Sequence, residues 1–289
     1  MFLVKALCFI PLSVFHAIGK FVAFLLYHVF RYRRDVVRQN MTAAFPKMSL
    51  QEIRKEERKF YINFVDVFLE LMKAYQFKKE DWVKRVPLKG ADLMLKYLDK
   101  GQPVILLSGH SANWEWPAFS IGQQMGYTME FLYKPIKNAR FDKIMLRLRT
   151  KHGGVAIPKD SALRQIIKKK NEARIIGILA DQLPSIGADK YWINFLNQET
   201  AFYTGPQKIA ELVNYPVFYS ETTRLARGYY QTEFKEVMKP PYQKGGQEIV
   251  QKFADLLSDT VARNPSDYLW SHKRWKYDRK QEQQVKGIA

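Results

Sequence analysis

Cysteine is all but missing from this chain. The single one, Cys8, stands inside an apolar run. That excludes an internal disulfide and a cysteine-based zinc site, and it is a poor setting for a catalytic thiolate. A reducing compartment fits. Acidic residues are scarce as well, 28 Asp and Glu against 47 Lys and Arg, for a formal net charge of +19. Such an excess points to anionic partners: nucleic acid, an acidic protein, phosphorylated substrates or an anionic membrane face. Charge alone does not choose among them. Gly/Ser linkers, internal repeats and low-complexity tracts are absent, and 47% of the 289 residues are apolar or aromatic. One large core is the expectation, with residues 31–289 as a single domain behind an appendage at 1–30.

The appendage contains a long apolar run. Residues 6–30 read ALCFIPLSVFHAIGKFVAFLLYHVF and are followed at once by RYRR. About 20 helical residues cross a hydrocarbon core, and this run is long enough. Pro11, His16 and Lys20 interrupt it, so both a spanning and a monotopic anchor are open readings, beside a buried core helix. No small-residue cleavage site follows, which argues against a removable signal peptide. Arg31, Arg33, Arg34 and Arg38 suit an anionic cytoplasmic lipid face, so the bulk of the chain is expected on the cytoplasmic side.

From Ser49 the pattern is helical. Ser49 and Glu52 have capping-box spacing, and Ile53, Phe60, Phe64, Phe68, Leu71 and Tyr75 form one apolar stripe. Beyond it, strands expected at 103–109, 128–133, 174–180, 216–223 and 229–237 are interspersed with helices expected at 90–99, 114–125, 138–152, 161–170, 205–213 and 246–263. Short, nearly continuous apolar strands separated by helices indicate an α/β layered sheet covered on both faces. In such sheets functional groups gather at the carboxyl ends of strands. His110 and Asp181 both fall at such ends.

The stretch VILLSGHSANWEWPA runs an apolar strand straight into His110, with Glu115 five positions on. Five histidines against 28 acids in 289 positions give about half such a pair by chance, so spacing alone is weak. Context strengthens it. Two side chains at i and i+5 of one helix point about 140° apart. They converge only if His110 sits on the turn before the helix and Glu115 in its first turns, with SGHSAN as the turn. A carboxylate that holds one imidazole nitrogen leaves the other free as a base, with no need for a nucleophilic serine. G-x-S-x-G is absent, so neither Ser108 nor Ser111 has a nucleophile-elbow context. The plainer reading is a hydrogen-bonded structural histidine at a helix N-terminus.

These residues resemble a family, the bacterial lipid A late acyltransferases of the lauroyl/myristoyl transferase type, within the wider group carrying a His-x4-Asp/Glu motif. His110, Asn113, Trp114 and Glu115 match H-x-G-N-W-E, with Ala112 where glycine is usual. Tyr133-Lys134-Pro135 resembles the family's Y-R/K-P, and a helix carrying Arg147 and Arg149 follows. Leu179-Ala180-Asp181-Gln182 is similar to the DQ block. Tyr203-Thr204-Gly205-Pro206 resembles the T-G-P entry to a helix, and Trp270 to Lys276 (WSHKRWK) resembles the closing W-x-H-R-R-W-K. Five such blocks in order cover the chain from its apolar N-terminus to about residue 276.

The resemblance implies a glycerolipid-acyltransferase-like fold and a membrane-bound enzyme on the cytoplasmic face of the bacterial inner membrane. Its reaction would move a fatty acyl chain from acyl carrier protein to a hydroxyl of a lipid A precursor, an anionic acceptor, without cofactor or metal. His110 would be the general base and Glu115 its orienting carboxylate, with direct attack on the thioester. Arg147 is the expected essential cation, since its offset from the motif resembles that of the family's arginine, for a phosphate or an oxyanion. Lys134 and Arg149 are weaker candidates for substrate contacts; Asn113, Asp181 and Gln182 are further ones. Lys273, Arg274 and Lys276 read as a basic tail at the membrane surface. Trp114, Trp116 and Phe119 suit the wall of an acyl channel, or a packed core. The acceptor stays open: a lysophospholipid, an aminolipid or another glycolipid would use the same chemistry. A hydrolase, with water as the acceptor, is also open. A membrane-tethered nucleic-acid binder fits the charge and the SHKRWKYDRK tail, yet no nucleic-acid-binding signature is present, so no nucleic-acid partner is expected.

Overall fold

The computed structural model describes residues 9–133, 135 and 138–285. Helix α1 spans Leu12–Phe24 and runs on as a π turn over Leu25–Val29; α2 spans Arg34–Ala44, α3 Leu50–Lys73 and α4 Lys79–Arg85. Strand β1 (Leu88–Lys89), α5 (Asp92–Leu98) and β2 (Val104–Ser108) lead to α6 (Trp116–Met125). Next come β3 (Met129–Tyr133), α7 (Ala139–Thr150), β4 (Gly154–Pro158), α8 (Ala162–Lys168) and β5 (Ile175–Leu179). A hairpin of β6 (Lys190–Phe195) and β7 (Gln198–Tyr203) precedes α9 (Gly205–Val213), β8 (Val217–Ala226), β9 (Tyr229–Met238), α10 (Glu248–Arg263) and α11 (Arg279–Val285).

Seven strands form one mixed sheet in the order β1-β9-β8-β2-β5-β3-β4. Neighbours from β8 to β4 are parallel, and β9 lies antiparallel to β8. The central strands are apolar on both faces because helices cover both. Ile105, Leu107, Ile176, Ile178, Val217 and Tyr219 join the cluster that includes α10. The alternating residues Val104, Leu106, Ile175 and Phe218 join the cluster of α5 and α6. Each fully buried Ile or Leu contributes about 1.5–3 kcal/mol of transfer free energy. The layered α/β architecture expected from the pattern is present.

Ser49 caps α3 with the expected reciprocal pair: its Oγ accepts from the Glu52 amide at 3.3 Å, and its own amide donates to Glu52 Oε2 at 2.7 Å. Four strands lie outside the expected set, among them the two-residue edge strand β1. Strand β4 is a short Gly- and Pro-bounded edge, and the β6–β7 hairpin carries too much polar character to read as buried strand. Helix α6 starts at Trp116 instead of residue 114. Asn113 Oδ1 accepts from the amides of Glu115 (3.2 Å) and Trp116 (3.0 Å), capping the helix and keeping Trp114 outside it.

Candidate active site

Strands β2 and β5 are parallel neighbours, with Ser108 level with Leu179. Their carboxyl ends therefore deliver His110 and Asp181 to the same place. His110 Nδ1 lies 2.6 Å from Asp181 Oδ1, and the His110 amide donates to Asp181 Oδ2 at 2.9 Å. Both side chains are buried. Burial alone would raise the Asp181 carboxyl, but the charge and hydrogen bonds of His110 hold it down at about 2. Burial likewise opposes charge on His110, and the field and hydrogen bond of Asp181 outweigh it, so the imidazole is a stronger base than usual. An ionised Asp181 fixes the proton on Nδ1 and leaves Nε2 as the basic, lone-pair nitrogen. Gln182 Nε2 approaches that nitrogen at 3.3 Å.

Glu115 is not the carboxylate on His110. Its two oxygens take a bidentate grip from Arg149, Nε at 2.9 Å and Nη2 at 2.6 Å. The reason is the cap: with Glu115 at the start of α6, its side chain meets the last turn of α7. Arg149, the weaker of the two arginine candidates, is thus the one in the site, whereas Arg147 is exposed on α7. Lys134 lies outside the described residues. Asn113 is fully buried; besides capping α6, it donates Nδ2 to Glu70 Oε2 at 2.8 Å.

The turn between β2 and α6 is clamped from the far end of the chain. Ala112 N donates to Asp267 O at 2.7 Å, and Leu269 N donates to His110 O at 3.0 Å. Ala112 itself has φ of +52°. That conformation favours glycine, and for alanine it costs on the order of 1 kcal/mol. Gly109 admits α10: a Cβ there would lie 2.5 Å from Leu257 Cδ1.

The closing block is not a surface tail. Lys273 and Lys276 are exposed, but Trp270 and Arg274 are each 1% exposed. None of the three guanidinium nitrogens of Arg274 has a hydrogen-bond partner among the described residues. Its guanidinium carbon sits 4.5 Å from the Phe202 ring centroid, and its charge acts on Asp181. His272 Nε2 accepts from Leu183 N at 3.1 Å; burial and the Arg274 charge push this imidazole down to about 4. Nothing in the periodicity marked Arg274 as internal. Its place between two buried aromatics is visible only once β6 and β7 are folded.

Beside the histidine turn runs a partly open cleft, its walls mostly apolar: Leu106, Ile121, Met129, Phe131, Leu132 and Ile178 among others. Glu115 and Arg149 are its charged lining residues, and Ser111 is a polar one. Ser111 Oγ is buried and has no partner among the described residues. Trp114, a lining residue, has its ring centroid 5.4 Å from that of His110. Phe119 also lines the cleft, while Trp116 is core, its Nε1 donating to Glu70 O at 3.1 Å. One cluster has metal-ligand geometry: ligand atoms of His16, Asp66 and Glu70 lie within 4.8 Å of one another. Those atoms are already used. Arg227 grips Asp66, and Glu70 takes His16, Asn113 and Tyr230. The cluster is therefore a structural hydrogen-bond network.

No curated protein matches the chain. The family model for bacterial lipid A biosynthesis acyltransferases, in contrast, matches residues 1–277, nearly the whole length. With a histidine–carboxylate pair at a parallel strand end and an apolar cleft beside it, this chain belongs to the bacterial lipid A biosynthesis acyltransferase family and is an acyltransferase.

Proposed function

We propose that this enzyme moves a fatty acyl chain from acyl carrier protein to a hydroxyl of an anionic lipid A precursor, with His110 as general base and Asp181 as its orienting carboxylate. The observation that carries this reading is the 2.6 Å contact of His110 Nδ1 with Asp181, which leaves Nε2 as the basic nitrogen on a turn whose neighbours Gly109, Ser111 and Trp114 line an apolar cleft. Nε2 takes the hydroxyl proton as the oxygen attacks the thioester carbonyl. The tetrahedral intermediate then collapses, the C–S bond breaks, and the imidazolium returns its proton to the departing thiolate. No acyl-enzyme is required. The Ser111 hydroxyl, without a partner among the described residues, lines the cleft and would donate to the carbonyl oxygen. The Glu115–Arg149 pair holds the α6 and α7 ends together at that cleft.

The net charge of +19 supports the choice of partners. A carrier protein is acidic, the acceptor bears phosphates, and the inner leaflet is anionic, so one positive field gathers all three at the cytoplasmic face of the inner membrane. The test is mass spectrometry of a reaction between detergent-solubilised enzyme, acyl carrier protein loaded with several chain lengths, and a tetra-acylated lipid A precursor. A product heavier by one acyl group, absent with His110→Ala, is expected. Equal product from His110→Ala would overturn the base assignment. Transfer only to lysophospholipid or aminolipid acceptors would overturn the acceptor.

A further inference from the structure

The apolar segment Leu12–Val29 is long enough, by length and composition, to cross a bilayer. Its setting in the fold argues against doing so. Phe15, Gly19, Ala23 and Tyr27 recur every fourth residue and are all buried. They face α3, along which α1 runs antiparallel. Lys73 Nζ donates to Ile10 O at 2.9 Å, His16 Nε2 meets Glu70 Oε1 at 3.1 Å, and the Tyr27 and Tyr61 rings are 5.3 Å apart. A Cβ on Gly19 would lie 3.0 Å from Asp66 Oδ1. Charged groups therefore pack against the middle of the apolar segment. Arg227 grips both Asp66 oxygens, at 2.7 and 2.6 Å, and donates to His16 O at 2.9 Å.

A spanning α1 would carry Asp66, Glu70 and Arg227 toward the bilayer centre. Ionisable groups are costly in hydrocarbon even on the lenient insertion scale. The opposite face of the helix tells where the lipid lies. Val14, Ile18, Phe21 and Phe24 are 44, 43, 63 and 53% exposed and share one side of the helix. Lys20 stands at the edge of that side, and the exposed Arg31 and Arg33 follow the π turn. An apolar stripe bordered by cations fits the headgroup boundary of an anionic leaflet.

We propose that α1 lies in the membrane plane, seated in one leaflet by its Val14, Ile18, Phe21 and Phe24 face, and that the protein is monotopic. This rests on the membrane-bound reading above. It also links the membrane to the motif. Glu70 receives His16 through one oxygen and Asn113 and Tyr230 through the other, so the seated helix is one residue removed from the cap of α6.

The experiment uses the full chain carrying one epitope tag before Met1 and another after Ala289, in inner-membrane vesicles with the cytoplasmic face outward. Added protease is expected to remove both tags. Loss of the C-terminal tag with protection of the N-terminal one would establish a spanning helix and overturn the seating, leaving the membrane reading intact. A chain found wholly in the supernatant would sink the membrane reading itself. In a second arm, Phe21→Glu combined with Phe24→Glu is expected to lower binding to anionic phospholipid vesicles roughly tenfold with an unchanged melting curve. Undiminished binding would show that this face is not the one in lipid.

Discussion

His110 and Asp181 are 71 residues apart in sequence and 2.6 Å apart between Nδ1 and Oδ1. The separation closes because β2 and β5 are adjacent and parallel, and both side chains leave the sheet at its carboxyl edge. The pair has a defined polarity: Asp181 accepts twice from His110, once from the ring and once from the backbone amide. Ring orientation and tautomer are thus set together.

Asp181→Asn keeps the shape and loses the charge. Turnover is expected to fall by about 10³–10⁴-fold, comparable to the loss of an orienting carboxylate elsewhere. A base must be neutral to act, and His110 is raised above its ordinary value, so kcat/KM of the wild type rises with pH through a pKa above about 6.5. In Asp181→Asn burial and the Arg149 charge oppose protonation, with only the Glu115 charge still favouring it, and that limb moves to lower pH. The sign for stability is opposite. The His110–Asp181 attraction is fully present below the unfolded pKa of about 6.5 and is lost as pH rises through the raised folded value. A pH–rate profile that does not move in the variant would refute the coupling.

Glu115 and Arg149 form a pair whose single removal leaves a charge stranded in a mostly apolar cleft. Glu115→Gln or Arg149→Met is each expected to destabilise by about 3 kcal/mol, and the double variant by less than the sum. Urea unfolding of the four proteins reads this directly. Additive losses would mean the two act independently.

Arg274 is a buried cation whose guanidinium nitrogens have no well-formed hydrogen bond among the described residues, although the Tyr268 hydroxyl and the Asp181 charge act on it. Replacing it with the similarly long, apolar methionine is expected to leave the melting temperature unchanged or higher. The catalytic profile should respond differently. Losing a positive charge beside Asp181 strengthens the hold of that carboxylate on the His110 proton, and the activity limb moves to higher pH. A destabilised variant with an unshifted profile would make Arg274 a packing residue only.

His272, pushed down to about 4, and His152, lowered by burial, are both neutral in the fold. In unfolded chain they take protons near pH 6.5. The unfolded state binds more protons in that window, so these groups withdraw stability as pH falls from about 6.5 toward 4. His272→Gln is expected to flatten that acid limb of the melting temperature. An unchanged limb would place the acid sensitivity in other groups.

The sequence by itself determined the layered α/β fold, the apolar N-terminal helix, the capped start of α3 and the placement of His110 and Asp181 at strand ends, because these follow from local periodicity and chain direction. The motif spacing also placed Glu115 at a helix start. The carboxylate that reaches His110 was decided by tertiary structure, since strand adjacency is a property of the sheet order and not of any window of sequence. The same holds for Arg149 over Arg147, two residues apart on one helix, whose faces differ by about 200° and so meet different neighbours. Arg274 looked like a surface cation because a run of Lys and Arg reads as solvated. Only the packing of the β6–β7 hairpin against the closing segment puts it inside, where burial and the field of Asp181 give it consequence.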